Sequence, residues 1–228
     1  MTDGLAVFLQ SADMSAIERG RGPQLALLRR CGATMAMVLI ESVDGRRQSW
    51  KRVAAVCAAL RAVDISPIAY SFPDLNGDLV GTRLHYAQCR EYADAGQWDL
   101  EPRAGNHWSP KVIAPMLALD PHASITTTRV ELPYLGEHGR EVWLQLEAQT
   151  SIDTLAQALR LAPDATLVTG LFDDDDNPRT LAEVKHDLAR CTEHAARIGR
   201  HAVWSLASMS LGEADALREW ALATWSKQ

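Results

Sequence analysis

Eight short apolar runs, most of them separated by amphipathic stretches, are the feature that most constrains how this chain can fold. Alternating runs of this length are typical of strands, and the stretches between most of them repeat their apolar residues at helical spacing. Strands that alternate with helices form βαβ units, which pair in parallel. The predicted strands are 5–11, 34–42, 66–73, 97–102, 123–132, 141–149, 164–172 and 201–208.

This alternation predicts an α/β fold in which eight parallel strands close into a compact (β/α)8, TIM-like barrel. The chain of 228 residues fits a single barrel domain spanning 1–228. The segment 133–140 is too short for an ordinary crossover helix. We therefore expect the barrel to lack the helix between strands five and six, or to pair those two strands antiparallel. An open doubly wound sheet is the rival fold, which the missing GxGxxG loop after strand one disfavours.

Composition and charge exclude several classes of partner. Hydrophobic residues make up 47% of the chain and charged residues 23%, which is typical of a globular protein. The net charge of −6 offers no basic surface for phosphates, so we expect no nucleic-acid partner. No uninterrupted apolar window reaches about 18 residues, which predicts no membrane span. Residues 1–15 lack the features of a secretory signal. This predicts cytoplasmic synthesis, with delivery to a cell wall requiring lysis, a holin-like pore or an injection machine.

Motifs for metal or nucleophilic chemistry are missing from the sequence. The four cysteines, Cys31, Cys57, Cys89 and Cys191, show no CxxC spacing, and the simplest interpretation is that they are free buried thiols. The histidines form no HExxH pattern, and no G-x-S-x-G nucleophile elbow occurs. We therefore expect neither a metal nor a cofactor.

Polar residues are concentrated at the carboxyl ends of the predicted strands and in the loops that follow. In a (β/α)8 barrel these ends form the mouth where catalytic side chains lie. The pattern predicts an active site at that mouth. The candidate residues are Asp13, Glu41, Tyr70, Asp99, Glu101, Trp108, Arg129, Glu131, Gln145, Glu147, Asp173 and Trp204.

Strand alternation orders part of this set. Asp99 and Glu101 share one face of strand four, about 6–7 Å apart, while Trp98 faces the core. Gln145 and Glu147 likewise face the mouth. Crowded carboxylates cannot all ionise cheaply, so one of them is expected to serve as a proton donor. Glu101, nearer the mouth, would protonate a glycosidic oxygen, while the deeper Asp99 would orient or stabilise a neighbouring group in an oxocarbenium-like transition state. In substrate-assisted glycosidases that group is the N-acetyl carbonyl of the substrate.

Two short motifs carry a resemblance to known glycosidases. The D-x-E of Asp99 and Glu101, and the D-x-S of Asp13 and Ser15, resemble motifs of the lysozyme-type muramidases of glycoside hydrolase family 25. The D-x-E resembles the family 18 chitinases more distantly, because their longer D-x-x-D-x-D-x-E pattern is absent. The resemblance implies a barrel glycosidase with Glu101 as acid, Asp99 as its partner and Asp13 at the substrate site.

The sequence therefore predicts a glycoside hydrolase for an N-acetyl-sugar polymer such as peptidoglycan or chitin. Glu101 and Asp99 are the predicted catalytic residues, and the other ten candidates are predicted to bind the carbohydrate. One alternative is a divalent-metal-dependent isomerase or phosphoesterase that uses Glu131, Glu147 and Asp173. Another is a non-catalytic barrel that only binds. The acidic run 173–176 is interpreted as a helix-capping loop rather than a metal site.

Overall fold

The computed structural model describes residues 4–41, 45–72, 78–100, 110–127, 141–146, 166–169, 180, 182–183, 186, 200–203 and 210–225. Strands and helices alternate through the first half of the chain, as predicted. The strands are β1 Gly4–Leu9, β2 Ala33–Leu39, β3 Ser66–Ser71, β4 Ala95–Asp99, β5 Ser124–Thr127, β6 Val142–Leu146, β7 Thr166–Thr169 and β8 Arg200–Val203. The helices bounded in these ranges are α1 Ser11–Glu18, α2 Gln24–Arg30, α3 Trp50–Arg61, α4 Leu79–Arg90, α5 Pro110–Leu119 and α6 Leu211–Trp225.

The eight strands form a closed parallel barrel. Each strand pairs with the next in sequence, and β8 pairs with β1 to complete the ring. This confirms the predicted (β/α)8 class over the open sheet. The pairing of β5 with β6 is parallel, so the antiparallel alternative is wrong. The segment 133–140, where we expect no helix, lies outside the described residues.

The connection from β1 to β2 contains two short helices. The sequence of this connection predicts one helix, with Gly32 as the C′ residue that ends it. Gly20 and Gly22 both have positive φ between α1 and α2, a conformation that interrupts a helix and that glycine adopts without strain. Gly32 also has a positive φ, of 78°, directly after the C-cap Cys31. Its predicted role in ending the helix is confirmed.

Strand β4 begins earlier than predicted, at Ala95 instead of residue 97, because Gly96 belongs to the strand. A Cβ atom at Gly96 would collide with the Tyr86 hydroxyl and with Oδ2 of Asp120. Those two groups hydrogen-bond at 2.9 Å, and Arg90 Nε donates to the same Asp120 oxygen at 2.8 Å. Gly96 therefore leaves the space for a polar network that joins α4, β4 and the end of α5.

Aromatic side chains fill the barrel interior beneath its carboxyl end. The Phe8 ring meets the Tyr70 ring edge to face at a centroid distance of 5.0 Å, and the Trp143 ring at 6.3 Å. Trp98 lies on the opposite face of β4, fully buried against the Tyr86 ring of α4. The predicted core position of Trp98 is confirmed. Inward and outward faces of the barrel strands therefore follow the alternation of the sequence.

The described cysteines and helices agree with the expectations from composition. Cys31, Cys57 and Cys89 are free and buried, and Cys191 lies outside the described residues. Among the helices of the described ranges, none is long and apolar enough to cross a membrane.

Candidate active site at the carboxyl end of the barrel

Asp99 is the best-defined candidate carboxylate. It ends β4, has no exposed surface and pairs in register with Thr126 of β5. The Tyr70 hydroxyl of β3 donates a short hydrogen bond to Oδ2 of Asp99. The Tyr70 ring is itself held edge-on against Phe8 and against Phe72, whose centroid is 5.5 Å away. Two residues predicted for the site are thus in direct contact, with the carboxylate directed toward the barrel interior.

Beside this pair, several buried polar atoms have no hydrogen-bond partner in the described part of the chain. They are Nε2 and Oε1 of Gln97, Oγ1 of Thr126, Nε1 of Trp143 and Oε1 of Gln145. A buried polar group left without a partner costs about 1–3 kcal/mol, and native structures contain few of them. The four side chains that carry these atoms lie on three adjacent strands, β4 to β6, and face the same interior.

Asp13 follows β1, as predicted, but its carboxylate serves a local role. It lies in the first turn of α1, where Oδ2 accepts from the Gln10 backbone N–H at 3.0 Å. Oδ1 accepts from the Gln24 side chain at 3.5 Å. Burial raises the pKa of Asp13 above its ordinary value, and these two hydrogen bonds offset part of that rise. One carboxylate oxygen of Asp13 therefore caps the start of α1, and the other links α1 to the first residue of α2.

Glu41 follows β2 and is almost completely buried. Its Oε2 accepts from Arg47 Nε at 3.3 Å and from the Thr82 hydroxyl of α4 at 3.4 Å. Arg47 also bonds Asp78, the N-cap of α4, at 2.9 Å. Arg47 thus links Glu41 to the beginning of α4, and the contacts of Glu41 join the end of β2 to that helix.

Of the remaining candidates, Gln145 is the one that lies within the described residues. Gln145 lies on the same face of β6 as Trp143, which contacts Phe8 inside the barrel, and this confirms its inward direction. Within the described ranges, no group of three or more His, Cys, Asp or Glu side chains could hold a metal ion. The predicted site residues outside the described residues are Glu101, Trp108, Arg129, Glu131, Glu147, Asp173 and Trp204.

Gln97 and Thr126 line the candidate site but are not among the residues that the sequence pattern predicts for it. Gln97 is two positions before Asp99 on the same strand face, so the alternation that selected Asp99 could also have selected Gln97. Thr126 is opposite Asp99 across the β4–β5 pair. That relation depends on the register between two strands, which the sequence pattern alone does not contain.

The fold and this site define the class: a (β/α)8 barrel with a buried carboxylate at the carboxyl end of β4. A scan of protein-family models and a search of curated proteins each found no match. Solved structures are similar. An endo-β-N-acetylglucosaminidase from Cordyceps militaris has a TM-score of 0.65 and 12% identity, covering 97% of this chain and 91% of its own.

Two further barrels show how much chemistry this fold supports. A GH20 catalytic module of the pneumococcal exo-β-D-N-acetylglucosaminidase StrH gives a TM-score of 0.56 at 7% identity, covering 96% of this chain and 82% of its own. An HpcH/HpaI aldolase from Desulfitobacterium hafniense gives 0.51 at 9% identity, with coverages of 99% and 92%. At these identities the likeness establishes the barrel fold, which hosts many reactions.

Proposed function

We propose that this chain is a glycoside hydrolase acting on an N-acetyl-sugar polymer of the peptidoglycan or chitin type. The observation that carries the proposal is the buried, inward-facing Asp99 at the exit of β4, held by Tyr70 and followed two residues later by Glu101. The likeness to two N-acetylglucosaminidase barrels supports it at the level of fold. The resemblance of the D-x-E and D-x-S motifs to family 25 muramidases supports the same substrate class.

In the proposed reaction, Glu101 donates a proton to the glycosidic oxygen as the bond from that oxygen to the anomeric carbon breaks. Positive charge then develops on the sugar ring, and the carboxylate of Asp99 stabilises it or orients the N-acetyl carbonyl that does so. Water completes the hydrolysis and restores the proton to Glu101. Tyr70 does not react in this scheme. Its hydroxyl holds Asp99 in one orientation, so that the carboxylate needs little rearrangement during the reaction.

The test is a turbidity assay on peptidoglycan and a reducing-sugar assay on chitin oligomers. Wild type is expected to hydrolyse at least one substrate. Glu101→Gln is expected to lose a factor of about 10² to 10⁴ in kcat, which is the usual contribution of general acid catalysis. Asp99→Asn, which keeps the shape of the side chain, is also expected to reduce kcat. Glu219→Gln removes an exposed carboxylate on α6 and serves as the matched control.

The same assays separate the alternatives. If wild type turns over neither substrate, the glycosidase proposal is wrong. A divalent metal in the purified protein, together with an isomerase or phosphoesterase activity that a chelator abolishes, would support the metal-dependent alternative with Glu131, Glu147 and Asp173. Biological activity that survives Glu101→Gln unchanged would support a non-catalytic binding barrel.

A further inference from the structure

The unpartnered polar atoms of β4 to β6 are neighbours in the barrel wall. Asp99 of β4 pairs with Thr126 of β5, and Thr126 pairs with Trp143 of β6. Gln97 lies two residues before Asp99 on the inward face, and Gln145 two residues after Trp143. Residues that pair in register point to the same side of a sheet. The five side chains are therefore neighbours on the inward side of the barrel wall, and the unpartnered polar atoms among them are buried there.

A threonine on the next strand shows that an inward polar group here can be satisfied by the protein itself. Thr166 of β7 is buried and pairs in register with Trp143. Its hydroxyl hydrogen-bonds Oε1 of Glu141 at 3.2 Å. The Thr126 hydroxyl, one strand away on the other side of Trp143, has no such partner in the described part of the chain. The Thr166 hydroxyl thus has a partner within the protein, whereas the Thr126 hydroxyl is left available for a ligand.

We propose that Gln97, Thr126, Trp143 and Gln145 form a subsite for the hydroxyl groups of an uncharged sugar ring. The atoms provide both kinds of partner that a hydroxyl needs. The Trp143 indole and the Gln97 amide nitrogen donate, the two glutamine oxygens accept, and the Thr126 hydroxyl does both. This inference rests on the proposed function, because the ring is part of the proposed carbohydrate substrate.

Charge supports a neutral ligand over an anionic one. Among the described inward side chains of β4, β5 and β6 there is no lysine, arginine or histidine. The acidic side chain there is Asp99, whose negative charge opposes a phosphate or carboxylate placed beside it. A polyol forms hydrogen bonds with these groups without bringing a charge that requires a cation. The subsite is therefore expected to exclude phosphorylated substrates.

The experiment measures chitotriose binding by calorimetry to the full chain carrying Glu101→Gln, which prevents hydrolysis during the titration. Adding Thr126→Val is expected to weaken binding about 2- to 12-fold, the range for one lost hydrogen bond. The thermal midpoint is expected to stay the same or rise, because an unpartnered hydroxyl is removed. Thr166→Val, the matched control, is expected to lower the thermal midpoint and leave the dissociation constant within two-fold.

Gln97→Met provides a second variant of similar volume. It is expected to weaken chitotriose binding by at least the same factor, without loss of thermal stability. Inorganic phosphate at millimolar concentration is expected not to compete with chitotriose.

Three results would overturn the subsite. They are no chitotriose binding by the Glu101→Gln protein, equal affinity in the Thr126→Val and Thr166→Val variants, and competition by phosphate. The results can contradict the proposed subsite and the proposed function independently of each other. Chitotriose that binds with the expected variant pattern, while wild type hydrolyses nothing, leaves the subsite and refutes the hydrolase. Hydrolysis by wild type, with no effect of Thr126→Val on the affinity for chitotriose, supports the hydrolase and refutes the subsite.

Discussion

The contact between Tyr70 and Asp99 shows a tyrosine hydroxyl that contributes to orienting a buried carboxylate in this barrel. The Tyr70 ring is packed against Phe8 and Phe72, so the hydroxyl has little freedom to move. Asp99 receives its hydrogen bond while fully buried. Aromatic packing one strand away therefore contributes to the position of the carboxylate.

Tyr70→Phe keeps that packing and removes only the hydroxyl. We expect kcat on the hydrolysed substrate to fall about 10-fold, with a smaller change in KM, because the hydroxyl positions a group that acts in the transition state. Tyr92→Phe, at a partly buried ring stacked on Trp50, is the control and should leave both parameters unchanged. An unchanged kcat in Tyr70→Phe would contradict the positioning role.

Gly96 gives a second prediction at the scale of one residue. Gly96→Ala places a methyl group against Tyr86 and Asp120, which are tied together and to Arg90, so the network must shift. We expect a loss of about 1–3 kcal/mol in the free energy of unfolding, measured with urea. Gly212→Ala on α6 has open space around the new methyl group and is expected to be neutral or slightly stabilising. Equal effects of the two substitutions would contradict this explanation.

The direction of Asp99 and Gln145 could be predicted from the sequence, because alternation on a strand is a local property. The hydrogen-bond partners of Asp13 and Glu41 could not be predicted in this way. Gln24, which bonds Asp13, belongs to a second helix that the sequence pattern did not separate from the first. Arg47 reaches Glu41 from the following loop. The contacts between polar side chains depend on how elements pack in the tertiary structure, which the local pattern does not contain.

At the scale of elements, all eight strands were predicted correctly in type and order, and β1 to β4, whose carboxyl ends lie within the described residues, each end before their apolar run does. The runs continue past the hydrogen-bonded ladder at their carboxyl ends. Leu39 ends β2, yet Ile40 remains fully buried. An apolar run in the sequence indicates which residues are buried, whereas the bounds of a strand are set by backbone pairing. The two differ where a strand leaves the barrel.

One connection between elements predicts a pH dependence. Asp94 precedes β4 and accepts hydrogen bonds from Ser66 of β3 at 2.7 Å and from Arg61 of α3. Burial raises the pKa of Asp94, but these two partners outweigh burial and hold it below its ordinary value of 3.8. Because the folded-state pKa is depressed, this stabilisation is present above about pH 4 and is lost as the pH falls through the folded-state pKa.

Asp94→Asn is therefore expected to lower the free energy of unfolding at pH 7 by up to about 1 kcal/mol, since the ion pair is partly exposed. At pH 3 the loss is expected to be smaller. Urea unfolding of wild type and variant at both pH values checks this, and an equal loss at the two values would contradict it.

At the scale of the whole molecule, the buried thiols of Cys31, Cys57 and Cys89 report whether the helices stay packed against the barrel. Burial raises the pKa of Cys31 to about 11 and the pKa values of Cys57 and Cys89 to about 12. A Cys191→Ser variant leaves these three thiols. They are expected to stay unreactive toward a disulfide reagent at pH 8 and to react in step with global unfolding in urea. Reaction of any of the three in the folded protein would contradict the described packing.

The pairing of β8 with β1 has a consequence for how the protein is made. Seven of the eight strand contacts join neighbours in sequence, whereas Gly4 meets Arg200 across nearly 200 positions of the chain. Closing so long a loop has an entropic cost that local pairings avoid, and such contacts slow folding. While the chain leaves the ribosome, β1 exposes an unpaired edge until β8 has been synthesised. Unpaired strand edges are sites of aggregation, so we expect the chain to be most prone to aggregate before β8 has paired with β1.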